Sequence, residues 1–138
     1  MAEAERYSFT ELEPSLGAAS YMPLLPLSLL HNDQRITVSA LLDTGSTVNV
    51  LPFNLGAQLG LAWDEQSTPV QLTGNLAQFE ARGVLLTAQV GSFDPVRLVF
   101  AWTRSDDVPP LLGQVNFFME FDVCFHRSQL AFEVRPKA

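Results

Sequence analysis

Two runs of alternating apolar residues, set on either side of a short polar turn, constrain this chain most. Leu25, Leu27 and Leu29 recur at every second position, His31-Asn32-Asp33-Gln34 supplies turn residues, and Ile36, Val38, Ala40 and Leu42 then alternate again. A period of two puts each set on one face of a strand. The pattern predicts an antiparallel hairpin with one buried face. Its second strand runs out at Asp43.

The β signals continue. Val48 to Leu51 resumes the apolar pattern beyond a Gly-containing turn. Asn54 is placed to cap a short helix through about Leu59, with Gly60 to end it. Val70 and Leu72 alternate up to Gly74-Asn75, a tight-turn dipeptide. The chain then runs back from Gln78 through Val90, turns at Gly91 to Pro95 and returns as a strand from Val96 to Trp102. Thr103 to Pro110 reads as a polar loop, and Leu111-Leu112-Gly113 leads into a short helix from Gln114 to Glu120. Two last strands, Asp122 to Phe125 and Leu130 to Val134, flank a turn at His126 to Gln129. The fold class is all-β and barrel-like, with one or two short helices. Residues 1–20 read as an N-terminal arm in which Tyr7-Ser8-Phe9 can pair as an edge strand; residues 21–138 read as one domain.

Composition removes several function classes. With 47% hydrophobic and 17% charged residues, a 138-residue chain buries a real core. Leu24 to Leu30 is short and interrupted by Pro26, so no membrane span is expected. The acidic start, Met1-Ala2-Glu3-Ala4-Glu5, lacks the apolar stretch of a secretory signal. Cys124 is the only cysteine, which fits a reducing, cytoplasmic setting and reads as a small buried side chain in an apolar strand. A net charge of −7, without a Lys/Arg cluster, argues against nucleic acid as a partner. His31 and His126 fall in separate exposed turns with no ligand cluster near them, so no metal is expected. Ser46 lacks the Gly-x-Ser-x-Gly elbow of a serine hydrolase. Trp63 and Trp102 read as packing residues, and Asp106-Asp107 as a solvated loop.

That leaves Leu41-Leu42-Asp43-Thr44-Gly45-Ser46-Thr47. A carboxylate stands where an apolar strand breaks into a Gly-containing turn, and a second apolar-apolar-Gly element, Leu111-Leu112-Gly113, follows downstream. Hydrolysis of a peptide bond by two aspartates needs one ionised carboxylate to take a proton from water and one neutral carboxyl to hydrogen-bond the scissile carbonyl. Two charges about 4 Å apart repel by roughly 4 kcal/mol at an effective dielectric near 20, or about three pKa units, so a close pair keeps one proton. Gly45 allows close backbone approach, and Ser46 is placed to donate a hydrogen bond to Asp43. The tripeptide occurs once. One chain therefore carries half of such a pair.

These residues resemble the retropepsin-like aspartic peptidases, in particular stand-alone single-domain members from bacteria and cyanobacteria, over roughly Tyr21 to Val134. The resemblance implies an acid-protease barrel acting as a homodimer, with no cofactor and no metal, on polypeptide substrates held in extended form. By it, Asp43, Thr44, Gly45 and Ser46 form the catalytic loop, with Asp43 from each of two subunits meeting at a two-fold axis and Thr44 making the interlocking contact beneath. A flap over about Val70 to Arg82, with Gly74 and Asn75 at its tip, closes over substrate. Val108, Pro109, Leu111, Leu112 and Gly113 contribute to the substrate site. Terminal strands, about Tyr7 to Phe9 and Leu130 to Val134, build the dimer sheet. The chain departs from retroviral members in having Ser46 after the glycine, Thr47 where an acidic residue is common, and Gln114 where an arginine is common. Its flap has one glycine. The alternative reading is a non-catalytic peptide-binding or dimerisation module with the same fold, with a monomeric ligand-binding β-barrel as a third.

Overall fold

The computed structural model describes residues 3–138, and the predicted hairpin forms where its alternation places it. In chain order the arm supplies β1 (Glu5–Ser8) and β2 (Thr10–Glu11), a 3-10 stretch over Pro14–Ser20, and β3 (Tyr21–Met22). The hairpin is β4 (Leu24–His31) and β5 (Gln34–Leu42). After it come β6 (Asn49–Leu51), α1 (Phe53–Gln58), β7 (Ala81–Gln89), β8 (Val96–Thr103) and β9 (Leu111–Leu112). The chain ends with α2 (Phe117–Glu120), β10 (Phe121–His126) and β11 (Ala131–Pro136).

Six strands close into a barrel in the order β4-β5-β9-β6-β8-β7. Leu25 faces Ala40, Leu27 faces Val38 and Leu29 faces Ile36 across the hairpin. Leu25, Leu27 and Leu29 are buried, as are Val38, Ala40 and Leu42. Each fully buried leucine contributes roughly 1.5–3 kcal/mol through apolar area removed from water. Shifting this register by one residue would turn all of them outward. β5 and β9 run parallel, with Leu41 beside Leu111 and Leu42 beside Leu112, so the two apolar pairs singled out in the sequence are neighbours.

The chain ends meet in a second sheet of three strands, ordered β1-β11-β10. Tyr7 stacks on Phe132 with ring centroids 5.4 Å apart. Glu5 anchors the arm. Its carboxylate accepts hydrogen bonds from the Ser92 hydroxyl (2.6 Å) and backbone N–H (3.1 Å). The Ser92 hydroxyl is the main reason the Glu5 pKa lies below the ordinary carboxylate value. Burial, with the Glu5 carboxylate beside it, raises the pKa of Tyr7. β11 sits in the middle of this sheet, and β1 and β10 hold its edges, so the terminal strands expected to take part in a sheet pair with one another within the chain.

Several local expectations need correction. Asn54 does not cap α1, which starts one residue earlier; Pro52 holds the cap position, and the Asn54 N–H instead donates to Asp106 Oδ1 at 2.7 Å. Asp106 is thus a helix-capping carboxylate on a loop far along the chain. Gly60, at φ +80, ends the turn as expected. α2 starts only at Phe117, and the segment before it is held instead to the Asp43 loop, the Gln114 and Val115 N–H groups donating to the Ser46 and Thr47 carbonyls. Cys124 is exposed, lying on the outward side of β10. His126 ends β10 half-buried and pairs with Glu133 Oε2 at 2.7 Å. Trp102 is fully buried, stacked on Phe53 and touching Trp63 edge-on, so it holds α1 against β8. No helix among the described residues is long and apolar enough to cross a membrane.

Candidate active site

Asp43 leaves the end of β5 with its backbone fixed on both sides. Its N–H donates to the Leu112 carbonyl (3.0 Å), and its carbonyl accepts from the Ser46 N–H (3.0 Å), closing a tight loop. Within that loop the Gly45 N–H donates to Asp43 Oδ1 at 2.9 Å. A backbone donor aimed at one oxygen orients the carboxyl and leaves the other free to act. Asp43 is half-buried, and Thr44 and Gly45 are exposed. The apolar strand therefore delivers an acid group to a surface.

Ser46 does not reach that group. Its hydroxyl donates to the Val48 carbonyl at 2.7 Å and so braces the far limb of the loop. Thr44 presents its side chain outward, while its carbonyl accepts from Gln114 Nε2 at 2.8 Å. Gln114, at the position where an arginine is common in retroviral members, thus ties the Asp43 loop to the segment after β9 within one chain.

The two loops are fastened together most firmly beneath Gly113. Gln114 N–H donates to Ser46 O (2.9 Å) and Val115 N–H to Thr47 O (2.7 Å). A Cβ on Gly113 would stand 2.5 Å from the Val48 carbonyl oxygen and 2.7 Å from that of Ser46. Only glycine fits. Its N–H donates to Asn49 Oδ1 at 2.9 Å, and Asn49 in turn donates to the Val99 carbonyl and to Asn116 Oδ1, each at 3.1 Å. Asn49 is fully buried, with its amide satisfied on both sides. Sequence reasoning passed over it. A lone asparagine between Val48 and Val50 was the available signal, since an amide in a buried apolar run must have partners.

Beside the loop lies a second apolar cluster of Val50, Leu72, Ala81, Ala101, Val108 and Leu111. Leu41, Val48, Val70, Leu76 and Phe79 pack on its rim. The structure thus brings Val108 and Leu111 together with the 70–79 segment. Pro109 is exposed beside them. Leu112 points the other way and is fully buried in the barrel core. Gly113 is buried too.

The segment expected as a hairpin over Val70 to Arg82 pairs only at its base. Val70 N–H donates to Ala81 O (3.0 Å) and Gly83 N–H to Thr68 O (2.8 Å). Its tip is a single 3-10 turn, Gly74–Leu76, with Gly74 at φ +62 and both Gly74 and Asn75 exposed. Leu76 and Phe79 fold onto the apolar cluster instead of extending as strand. Arg82 pins the base, donating to the Trp63 carbonyl at 2.7 Å with its guanidinium over the Trp63 ring.

An aspartyl protease family model matches residues 27–115, which spans β4 to the segment after β9 and includes both loops. The chain belongs to the aspartyl protease family. Its fold is that of the retropepsin-like aspartyl proteases. One such protease, from Rickettsia conorii, superposes with a TM-score of 0.60 over 96% of this chain and 91% of that one, at 12% identity. The EIAV protease complexed with the inhibitor HBY-793 is also similar, with a TM-score of 0.49 and 20% identity over 67% of this chain and 82% of that one. No curated protein sequence matches the chain. Among the described residues of this aspartyl protease, no three His, Cys, Asp or Glu side chains gather as a metal cluster.

Proposed function

We propose that the protein is a homodimeric aspartic endopeptidase in which two copies each present Asp43 to one water molecule. The observation that carries this reading is the Asp43 loop itself. It is braced on every side by its own chain, yet its carboxylate stands half-open, with Gly45 donating to one oxygen. Such bracing supports a role that demands fixed position.

The reaction follows from the pair. The ionised Asp43 removes a proton from water as the oxygen attacks the scissile carbonyl carbon, while the neutral Asp43 of the other copy hydrogen-bonds and protonates the carbonyl oxygen. The tetrahedral diol collapses with a proton passing to the leaving nitrogen, so neither a covalent enzyme intermediate nor a metal is needed. Activity is greatest at about pH 4–6, where the pair retains one proton. Thr44 makes the contact between copies beneath the pair.

An extended substrate lies between the Asp43 loop and the 68–83 segment, which acts as a flap with Gly74 and Asn75 at its tip. Val108, Pro109 and Leu111, beside Val70, Leu76 and Phe79, favour apolar or aromatic residues flanking the cut. Net negative charge adds a mild preference for basic segments further out. The exposed thiol of Cys124 fits a reducing, cytoplasmic setting.

Wild type and Asp43→Asn are incubated with a diverse peptide library from pH 4 to 7, and products are read by mass spectrometry. Wild type cleaves at mildly acid pH, and the variant loses about a thousandfold or more. Peptide binding without cleavage by wild type would instead make the domain a binding module, and equal cleavage by both would remove Asp43 from the chemistry.

A further inference from the structure

We infer that Leu76 and Phe79 are a plug that sets specificity: in the free chain they fill the apolar subsite that a substrate side chain enters, and a substrate binds by replacing them. The inference rests on the reading of Val108 and Leu111 as walls of the peptide groove, and names the residues that compete for it.

The subsite is already full. Val108 and Leu111 are 5% and 7% exposed within a single chain, so neither offers a substrate more than a sliver of surface. Val50, Ala81 and Ala101 in the same cluster are buried as deeply, and Leu76 and Phe79 pack against them all. A site for apolar side chains needs an open apolar wall. Here that wall is covered by the chain itself, and a substrate reaches it only when the cover leaves.

The residues around the cluster differ in their freedom to leave. Val50, Ala81, Ala101 and Leu111 belong to β6, β7, β8 and β9 and are held in the ladders of the barrel. Val70 is tied to Ala81 through its backbone. Leu76 and Phe79 lie toward the tip of the 68–83 segment, where the hydrogen bonds are internal. Leu76 N–H donates to Thr73 O, Ala77 N–H to Gly74 O and Phe79 N–H to Leu76 O. Gln71 Nε2 reaches Ala77 O at 3.4 Å, again inside the segment. All of these bonds can travel with the tip as it lifts. Gly74, at φ +62, stands just before the pair, and a methyl there would meet nothing within 4 Å, so it is free to act as a hinge. A cleft of about 510 Å³ opens between residues 69–71 and 77–81, and Phe79 lines it, so open space adjoins the ring.

Replacement makes the choice of substrate. Lifting a half-buried leucine and phenylalanine gives up apolar burial. A large apolar or aromatic side chain from the substrate restores that burial, whereas an alanine or a charged group does not. The subsite therefore rejects small and polar side chains by competition with its own chain. Every substrate also bears the cost of opening. If about one copy in ten is open, apparent affinity falls about tenfold below that of an open site.

The test separates a plug from a wall. Wild type takes up little Nile red, an uncharged apolar dye, whereas Leu76→Ser/Phe79→Ser binds it about tenfold more tightly with circular dichroism unchanged. On peptides that wild type cleaves, the double variant has a KM about tenfold lower, and it gains peptides with alanine in place of the large apolar residue. Leu85→Ser, at an exposed apolar residue of β7 (48%), changes neither reading. If the double variant loses its fold, Phe79→Ala alone is measured in the same way. A variant that binds no more dye, or whose KM rises, overturns the plug, because cutting back the wall of an open groove only weakens binding. Dye uptake that rises while no chain cleaves any peptide keeps the plug and removes the peptidase reading.

Discussion

The Asp43 loop and the 68–83 segment face the same apolar cluster but are held in opposite ways. The loop is bonded at almost every residue. Leu112, Gly45, Ser46, Gln114 and Asn49 all contribute, and the Asn49–Gly113 bond beneath is buried. The 68–83 segment is fastened at its base by two backbone hydrogen bonds and Arg82, and its tip is one exposed turn. Chemistry at a carboxylate needs a fixed atom, whereas admitting and enclosing a chain needs a part that opens at little cost. The fold keeps both by making one stiff and tethering the other only at its base.

Gly113→Ala breaks the stiff side most severely. The new methyl collides with two backbone carbonyls that have nowhere to go, so the expected loss is about 3 kcal/mol of stability. Thermal unfolding would show it, and peptide turnover would fall with it. An unchanged melting temperature would mean the two loops are not interlocked as described.

Asn49→Ala comes next. It orphans the buried Gly113 N–H and removes the donor to the Val99 carbonyl and Asn116 Oδ1, at about 2 kcal/mol. Chemical denaturation measures that loss, and Asn49→Asp should not restore it, because a carboxylate cannot donate to the Val99 carbonyl.

Gly74→Ala sharpens the contrast from the other side. The methyl meets nothing within 4 Å, and only the left-handed backbone resists it, at roughly 1 kcal/mol. Stability should move little while turnover of peptides changes. If Gly74→Ala proved as destabilising as Gly113→Ala, the 68–83 segment would not be the loosely held partner.

The sequence displayed the hairpin and the Asp43 loop plainly, because a period of two and a rare tripeptide are local signals. What it hid depended on partners distant in the chain. Asp106 caps a helix fifty-two residues before it, a pairing no window over α1 contains. The Ser46 hydroxyl bonds the Val48 carbonyl and not the Asp43 carboxyl, a choice that the loop's folded path makes and residue types do not display. The 68–83 segment looked like a hairpin because Gly74-Asn75 favours turns, but burial of Leu76 and Phe79 outweighed strand pairing. Cys124 was misread for a different reason. Phe121, Val123 and Phe125 already fill the inward positions of β10, so the same period of two that revealed the hairpin places Cys124 outside.

The pairing of β1 with β11 joins residues from opposite ends of the chain. Contacts so far apart in sequence close late, because their loop-closure entropy must be met before they add stability. While the protein is being synthesised, the first strand therefore has no partner until residues 131–136 have emerged. Tyr7 and Phe9 stay uncovered until then. The barrel, whose strands are nearer neighbours, can form first, and this sheet is completed only once β11 has been made.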